Sequence, residues 1–260
     1  MRLDLHNHTT LCHHASGSME SYFARALELG IDVFGFSCHA PMRFDEAYRM
    51  SLDELPCYIA RVRELADSVP LRVLCGLEVD YILGREELLE RAVLDSCLDY
   101  LIGSVHFLDT WGFDNPAFIA EYAKRDITQC WRDYLRSIAA MAESGYFQIV
   151  GHFDLLKVFG YAMPRELDSE LVRTLDCIAD MGLALELNPA GWRKPINEAY
   201  PSESILKEAH KRGIPITFGS DSHALEHVGF GYEALRELAL RVGYTQAVYF
   251  ESKQSISVSL

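Results

Sequence analysis

Nine residues that can bind a metal recur along the 260-residue chain, nearly all of them just after a short apolar run. They are His6, His8, His14, His39, Glu78, His106, His152, Asp221 and His223. Two groups are spaced pairs, D-L-H-N-H at 4–8 and S-D-S-H at 220–223. In an extended strand, residues two apart point to the same side. His6 with His8, and Asp221 with His223, can therefore each converge on one point. Imidazole and carboxylate donors suit Zn, Fe or Mn better than Ca or Mg, which prefer all-oxygen shells. Seven histidines and two carboxylates are too many for one ion with roughly four to six ligands. Two or three divalent ions are expected, with Glu78 or Asp221 able to bridge them. Such a cluster lowers the pKa of a bound water, supplies hydroxide at neutral pH and binds the oxygens of an anionic substrate. Both properties point to hydrolysis, most naturally of a phosphate ester.

The elements that position these donors alternate. Short apolar runs predict strands at Leu3–Leu5, Val33–Ser37, Arg72–Leu77, Tyr100–Ser104, Gln148–Val150, Leu183–Leu187 and Ile214–Phe218. Helical patterns lie between them: Met19 to Leu29 before Gly30, a helix carrying Leu55, Ile59, Val62 and Leu65 after the capping box Ser51-Leu52-Asp53-Glu54, and Asp133 to Ser144 before Gly145. Further helices are expected at Ser169–Met181, Ser202–Arg212 and Gly231–Val242, each with a glycine just past its end. Strand-helix repeated about seven times means parallel strands joined by right-handed crossovers. The expected architecture is an irregular (β/α)7 barrel, one domain over residues 1–260, with Ala247–Phe250 adding a short strand or packing the C-terminus. In such barrels the site lies at the C-terminal strand ends. The donors fall there, and Asn188 occupies the same position after the sixth strand.

Bulk properties narrow the class. Hydrophobic residues make up 49% of the chain, enough for a large core. No run of 18 apolar residues occurs, so no membrane span is expected. The N-terminus lacks a signal-peptide pattern. Seven scattered cysteines with no C-x-x-C are read as free thiols in a reducing cytoplasm. A formal charge of −14 argues against binding nucleic acid through its phosphate backbone and is compatible with a small cationic substrate, though it also serves solubility alone. Oligomeric state has no signature.

Six segments, D-L-H-N-H-T at 4–9, S-C-H-A-P at 37–41, G-L-E-V-D at 76–80, I-G-S-V-H at 102–106, G-H-F-D at 151–154 and F-G-S-D-S-H at 218–223, resemble in order the motifs of the polymerase and histidinol phosphatase superfamily. Within it, L-C-H-H-A-S-G at 11–17, S-V-H-F-L-D at 104–109, W-G-F-D-N-P at 111–116 and L-E-L-N-P-A-G-W-R-K-P at 185–195 resemble the histidinol-phosphate phosphatase branch. The resemblance implies a (β/α)7 barrel with a trinuclear centre that uses a metal-bound hydroxide to hydrolyse L-histidinol phosphate in histidine biosynthesis. By position, the nine donors match the family's nine ligands, with His14 rather than His13 as the third histidine. Cys38 stands where the family commonly has Asp. Strand alternation turns it away from His39.

Other roles are expectations on the same footing. Arg193, in the loop after strand six, is expected to fork onto phosphate oxygens and stabilise the transition state. Asp221 or His223 is the candidate proton relay to the leaving alkoxide, or positions a water for it. Arg49 and Lys194 are further candidates for phosphate, with surface solvation as the alternative. Asp114, Asp154 and Asp80 are candidates for holding the cationic imidazole and amine, or are structural. Trp111, Phe113 and Trp192 can stack on an imidazole or anchor loops. Asp4 shares strand parity with His6 and His8 and can orient a histidine or sit in a buried ion pair. His227 is a candidate for the pocket rim. Competing functions are a nucleotide phosphatase or phosphodiesterase of the same superfamily, a metal-dependent amidohydrolase, and a non-catalytic metal-binding scaffold.

Overall fold

A computed structural model describes residues 1–68 and 70–260. Seven parallel strands form one sheet in sequential order: β1 Leu3–Asp4, β2 Val33–Phe36, β3 Arg72–Asp80, β4 Tyr100–Ser104, β5 Ile149–Val150, β6 Ala184–Leu187 and β7 Ile216–Phe218. The register pairs Leu3 with Val33, Val33 with Arg72, Gly76 with Tyr100, Ile102 with Ile149, Ile149 with Ala184 and Leu185 with Ile216. Leu5 N donates to Phe218 O (2.8 Å), and Asn7 bridges Ser222, so the last strand meets the first and the ring closes. The expected (β/α)7 barrel is the fold.

Helices α1 Met19–Glu28, α2 Leu55–Ala66, α3 Arg91–Leu94, α4 Ile127–Glu143, α5 Asp168–Asp180, α6 Glu203–Lys211 and α7 Tyr232–Val242 lie between consecutive strands or after the last. Their apolar stripes explain why they fold onto the sheet: α4 buries Trp131, Tyr134, Leu135, Ile138 and Met141, a helical period. α4 begins six residues before the expected start at Asp133, because the Asp126 side chain accepts from Gln129 N (3.2 Å) and caps it. Glu54 does reach back to Ser51 N (2.8 Å), but Ser51–Glu54 forms a turn that precedes α2.

The last residues form an antiparallel hairpin, β8 Gln246–Glu251 and β9 Gln254–Ser259. Val248 and Phe250 pack with Leu3, Val33, Leu74, Tyr100 and Ile216 into one apolar cluster. The hairpin thus seals the barrel at the strand starts. With that end apolar and closed, polar side chains are left to converge at the opposite end. No helix among the described residues is long and apolar enough to cross a membrane.

Candidate metal centre

At the C-terminal strand ends the centre is organised by one carboxylate. Glu78, 1% exposed, lies inside β3, which runs three residues further than its apolar run because Glu78, Val79 and Asp80 stay paired with Ile102, Gly103 and Ser104 of β4. His39 bridges Glu78 on the other side. Its Oε2 is 3.3 Å from His6 Nε2, 3.5 Å from His8 Nε2 and 3.1 Å from His39 Nδ1. Its Oε1 is 2.9 Å from His152 Nε2 and 3.6 Å from His106 Nε2, and accepts from Ser104 Oγ (2.7 Å). Burial raises its pKa, but the charges of His6, His39 and His106 outweigh that and hold the carboxyl well below its usual range. Asp221 is the second carboxylate, 3.5 Å from His8 Nε2, and it too is held ionised against burial by His6 and His8. The rings of His8 and His223 stack at 3.9 Å, with His14 4.6 Å from His223 and 5.3 Å from His39. All nine residues read from the sequence therefore meet here. His14, at the mouth, joins the cluster, and His13 is exposed with φ 65. Asp221 (φ 51) and His152 (φ 22) hold backbone conformations that non-glycine residues rarely adopt, a strain often stored where a side chain must be aimed.

The donor set fits metal ions. Donor atoms of His6, His8 and Asp221, of Glu78, His106 and His152, and of His8, His39 and His223 each lie within 4.8 Å of one another. His6 Nε2, His8 Nε2 and His223 Nε2 are buried without a hydrogen-bond partner, a costly arrangement unless a cation takes their lone pairs. These groups can hold several ions. His223 suits lone-pair donation because burial, then the neighbouring His8, pushes its pKa down to about 3.

Behind the donors stands a layer that the sequence reading only partly reached. His6 Nδ1 donates to Glu186 Oε1 (2.6 Å), whose other oxygen accepts from His152 N (2.9 Å) and Asn188 Nδ2 (3.0 Å). Glu186 was not singled out, though it lies on β6 two residues before Asn188, a spacing that marks it as inward-facing. Gly219 lets this pair form, since a Cβ there would lie 2.2 Å from Glu186 Oε1 and 2.4 Å from His6 Cβ. Asp80, expected at the substrate amine or as structural, takes His106 Nδ1 (2.6 Å) and Arg49 Nη2 (3.0 Å). Such carboxylate–imidazole pairs fix the tautomer and aim the other nitrogen. Asp4 orients no histidine. It accepts from Ser220 N (2.8 Å) and Ser220 Oγ (2.7 Å) and so anchors the turn that carries Asp221. Cys38 Sγ accepts from Thr9 Oγ1 (3.2 Å) and lies with Cys12 Sγ within 4.8 Å of a His8 ring nitrogen.

A cavity of about 540 Å³ opens over the centre. Arg193, Lys194 and His227 line it, as do Asp45, Arg49 and Asp114. Arg193 Nη2 donates to Ser220 O (3.0 Å) and Asp221 O (2.9 Å), its guanidinium lies over the Phe230 ring, and its Nη1 is buried without a partner. Lys194 is exposed at the rim. Arg49 borders the cavity, but its fork is committed to Asp80, Asp45 O and Ala40 O, so it is not free for phosphate. Asp154, expected at the cationic end of the substrate or as structural, does not line the cavity, but is buried against Lys157 Nζ (2.8 Å) and Ser202 N (3.0 Å). Trp111, Phe113 and Trp192 are packed in the fold, and Tyr48, Phe107, Phe118 and Tyr200 are the aromatic walls.

The His106–Asp80 pair gives a pH signature to metal-free protein. Burial disfavours the imidazolium, but Asp80 and Glu78 raise the His106 pKa from 6.5 to about 10. A raised folded-state value adds stability that is complete below 6.5 and lost as pH climbs toward 10, on the order of a few kcal/mol. The Tm of chelator-treated protein is therefore expected to fall between these pH values, and Asp80→Asn to flatten that fall. A Tm of wild-type protein independent of pH across the window would refute it. Metal-loaded protein follows the opposite trend relative to metal-free, because ligand imidazoles must be deprotonated.

A parallel barrel whose strand ends gather imidazoles and carboxylates around a polynuclear metal centre defines a class of metal-binding α/β barrels. Residues 4–190 match the PHP domain family and residues 203–239 the PHP-associated family, and the chain belongs to the PHP domain family. It is 43% identical over 242 residues to a Deinococcus radiodurans protein named "Probable histidinol-phosphatase", covering 90% of this chain and 92% of that one. It is 32% identical over 266 residues to the histidinol-phosphatase of Bacillus subtilis, covering 90% of this chain and 98% of the relative. The fold superposes on a crystal structure of the Lactococcus lactis histidinol phosphate phosphatase, complexed with zinc, L-histidinol and phosphate, with a TM-score of 0.84 at 20% identity over 98% of each chain.

Proposed function

We propose that this protein is a metal-dependent phosphomonoesterase that hydrolyses L-histidinol phosphate to L-histidinol and phosphate, with residues 1–260 acting as one catalytic unit. The observation that carries the reading is Glu78 bridging the imidazoles of five strand-end histidines beneath a cavity that also presents the unpaired Arg193 Nη1. Relatives at 43% and 32% identity that carry the histidinol-phosphatase name support the substrate.

His6, His8, His14, His39, Glu78, His106, His152, Asp221 and His223 would hold the ions. Divalent ions bound there would supply Lewis acidity toward phosphate oxygens and toward water. Arg193 holds the phosphoryl group from the side of Asp221 and opposes the charge that develops on its oxygens, with Lys194 attracting the anion at the rim. Asp114, close to His106 and Asp80, faces the cationic end of the substrate. Asp221 and the neutral His223 position the water whose proton neutralises the leaving alkoxide. Glu186 and Asp80 keep His6 and His106 aimed through the reaction.

The charge of −14 disfavours a polyanionic nucleic acid as partner. Seven free cysteines suit a reducing cytoplasm.

The test measures phosphate release from L-histidinol phosphate beside a nucleotide monophosphate, a short DNA oligomer and an aryl phosphate, before and after chelation and metal return. Preference for histidinol phosphate, abolished by chelator and restored by metal, is expected. Preference for the nucleotide or oligomer would sink the biosynthetic role. No turnover by metal-replete protein would leave only the scaffold reading.

A further inference from the structure

One buried polar group facing the cavity has no use in the scheme above. Tyr200, 1% exposed, lines the cavity, and its hydroxyl is buried without a hydrogen-bond partner. A buried phenol normally finds an acceptor, and leaving one unpaired costs free energy. The rest of the residue is held on every side. Tyr200 N donates to Asn188 O (2.8 Å), and Asn188 N donates to Tyr200 O (2.7 Å), closing the loop between them into a ring. Lys157 Nζ lies 5.3 Å from the ring centroid and donates to Ala199 O (2.8 Å), pinning the preceding residue. The His152 ring meets the Tyr200 ring edge-on at 6.4 Å. Gly191 crosses over it so closely that a Cβ would sit 3.0 Å from Tyr200 Cζ and 1.9 Å from Glu198 O. The phenol cannot turn away to find a partner within the protein.

The same closed loop carries Arg193, whose Nη1 is also buried and unpaired. One rigid segment, Asn188 to Tyr200, therefore delivers two unsatisfied donors into one cavity beside the strand-end histidines. Burial keeps the phenol protonated and hence a donor, not an anion. Preorganised donors of this kind stabilise charge that develops on a bound oxygen, because no reorganisation is needed when it forms.

We propose that the Tyr200 hydroxyl touches the substrate, donating a hydrogen bond to a phosphoryl oxygen beside Arg193. The assignment rests on the reading of the centre as a phosphomonoesterase.

The test compares metal-loaded wild type with Tyr200→Phe by three measurements: steady-state kinetics on L-histidinol phosphate, calorimetric titration with inorganic phosphate, and thermal melting with metal content. Removing an unpaired hydroxyl from a packed ring should leave Tm equal or higher and metal content unchanged. The expected loss is about 10- to 100-fold in kcat/KM, borne mainly by kcat, with phosphate bound about tenfold more weakly. A hydroxyl with a purely structural role gives the reverse pattern, a lowered Tm with phosphate affinity intact, and overturns the proposal. So does a variant matching wild type in both kinetics and phosphate binding. If Tyr200→Phe does not fold, Tyr200→His replaces it; its shorter donor should weaken phosphate binding, and unchanged binding overturns the assignment. If wild type binds phosphate but does not turn over histidinol phosphate, the substrate reading fails alone, and the Tyr200 comparison is still decided by phosphate affinity.

Discussion

Glu78→Ala is expected to strip metal from the protein and to lower kcat/KM on L-histidinol phosphate by about three orders of magnitude, the rate equivalent of about 4 kcal/mol. Among the described residues, no other side chain approaches so many donors. Its two oxygens face His6, His8 and His39 on one side and His106 and His152 on the other, all within 3.6 Å. Without that carboxylate, five imidazoles remain around a gap, and the negative charge that would balance bound cations is gone. Ser104 Oγ also loses its acceptor. Glu78→Gln separates charge from volume: it fills the space but cannot neutralise two ions, so it should resemble alanine in metal content and exceed it in Tm. Metal analysis after dialysis, with kinetics on the same samples, checks this. Full metal content and activity in either variant would remove Glu78 from the centre.

The nine donors were legible because two regularities coincide in them. Strand alternation aims residues two apart at one point, as for His6 with His8, and parallel topology sends all strand ends to one face. The layer behind them was harder to read, because it depends on register between strands, which spacing along the chain does not contain. Asp80 looked like a residue for the substrate or for structure until β3 proved to extend through it, which sets it against His106. Asp154 shares parity with His152, but parity holds only within a strand. β5 ends at Val150, His152 has φ 22, and a tight turn starts at Leu155, so the side chain leaves toward Lys157. The 3₁₀ helix Pro116–Lys124 was not read from the sequence, yet it borders the cavity through Pro116 and Phe118. The start of α4 was readable in Asp126-Ile127-Thr128-Gln129 as a cap, a signal weaker than the apolar stripe that begins after it.

Arg193→Ala is expected to lower kcat/KM by about 10²- to 10³-fold while metal content is retained. The guanidinium is not a surface charge that happens to face the cavity. One nitrogen is spent on Ser220 O and Asp221 O, and the Phe230 ring supports the plane from one side. These contacts fix the direction of the remaining nitrogen, which has no acceptor in the protein. Burial lowers the Arg193 pKa, but from so high a value that the charge persists at neutral pH. The group is thus held charged, desolvated and aimed, which makes it effective toward a transition state and costly in its absence. Arg193→Lys tests the aim separately from the charge: an ammonium cannot bond both carbonyls and reach phosphate in one plane, so it should recover only part of the loss. The contact to Asp221 O adds a check, since a purely positional role would appear as lost metal. Kinetics and metal content measured together decide between the two, and an alanine variant with wild-type kcat/KM would exclude Arg193 from the reaction.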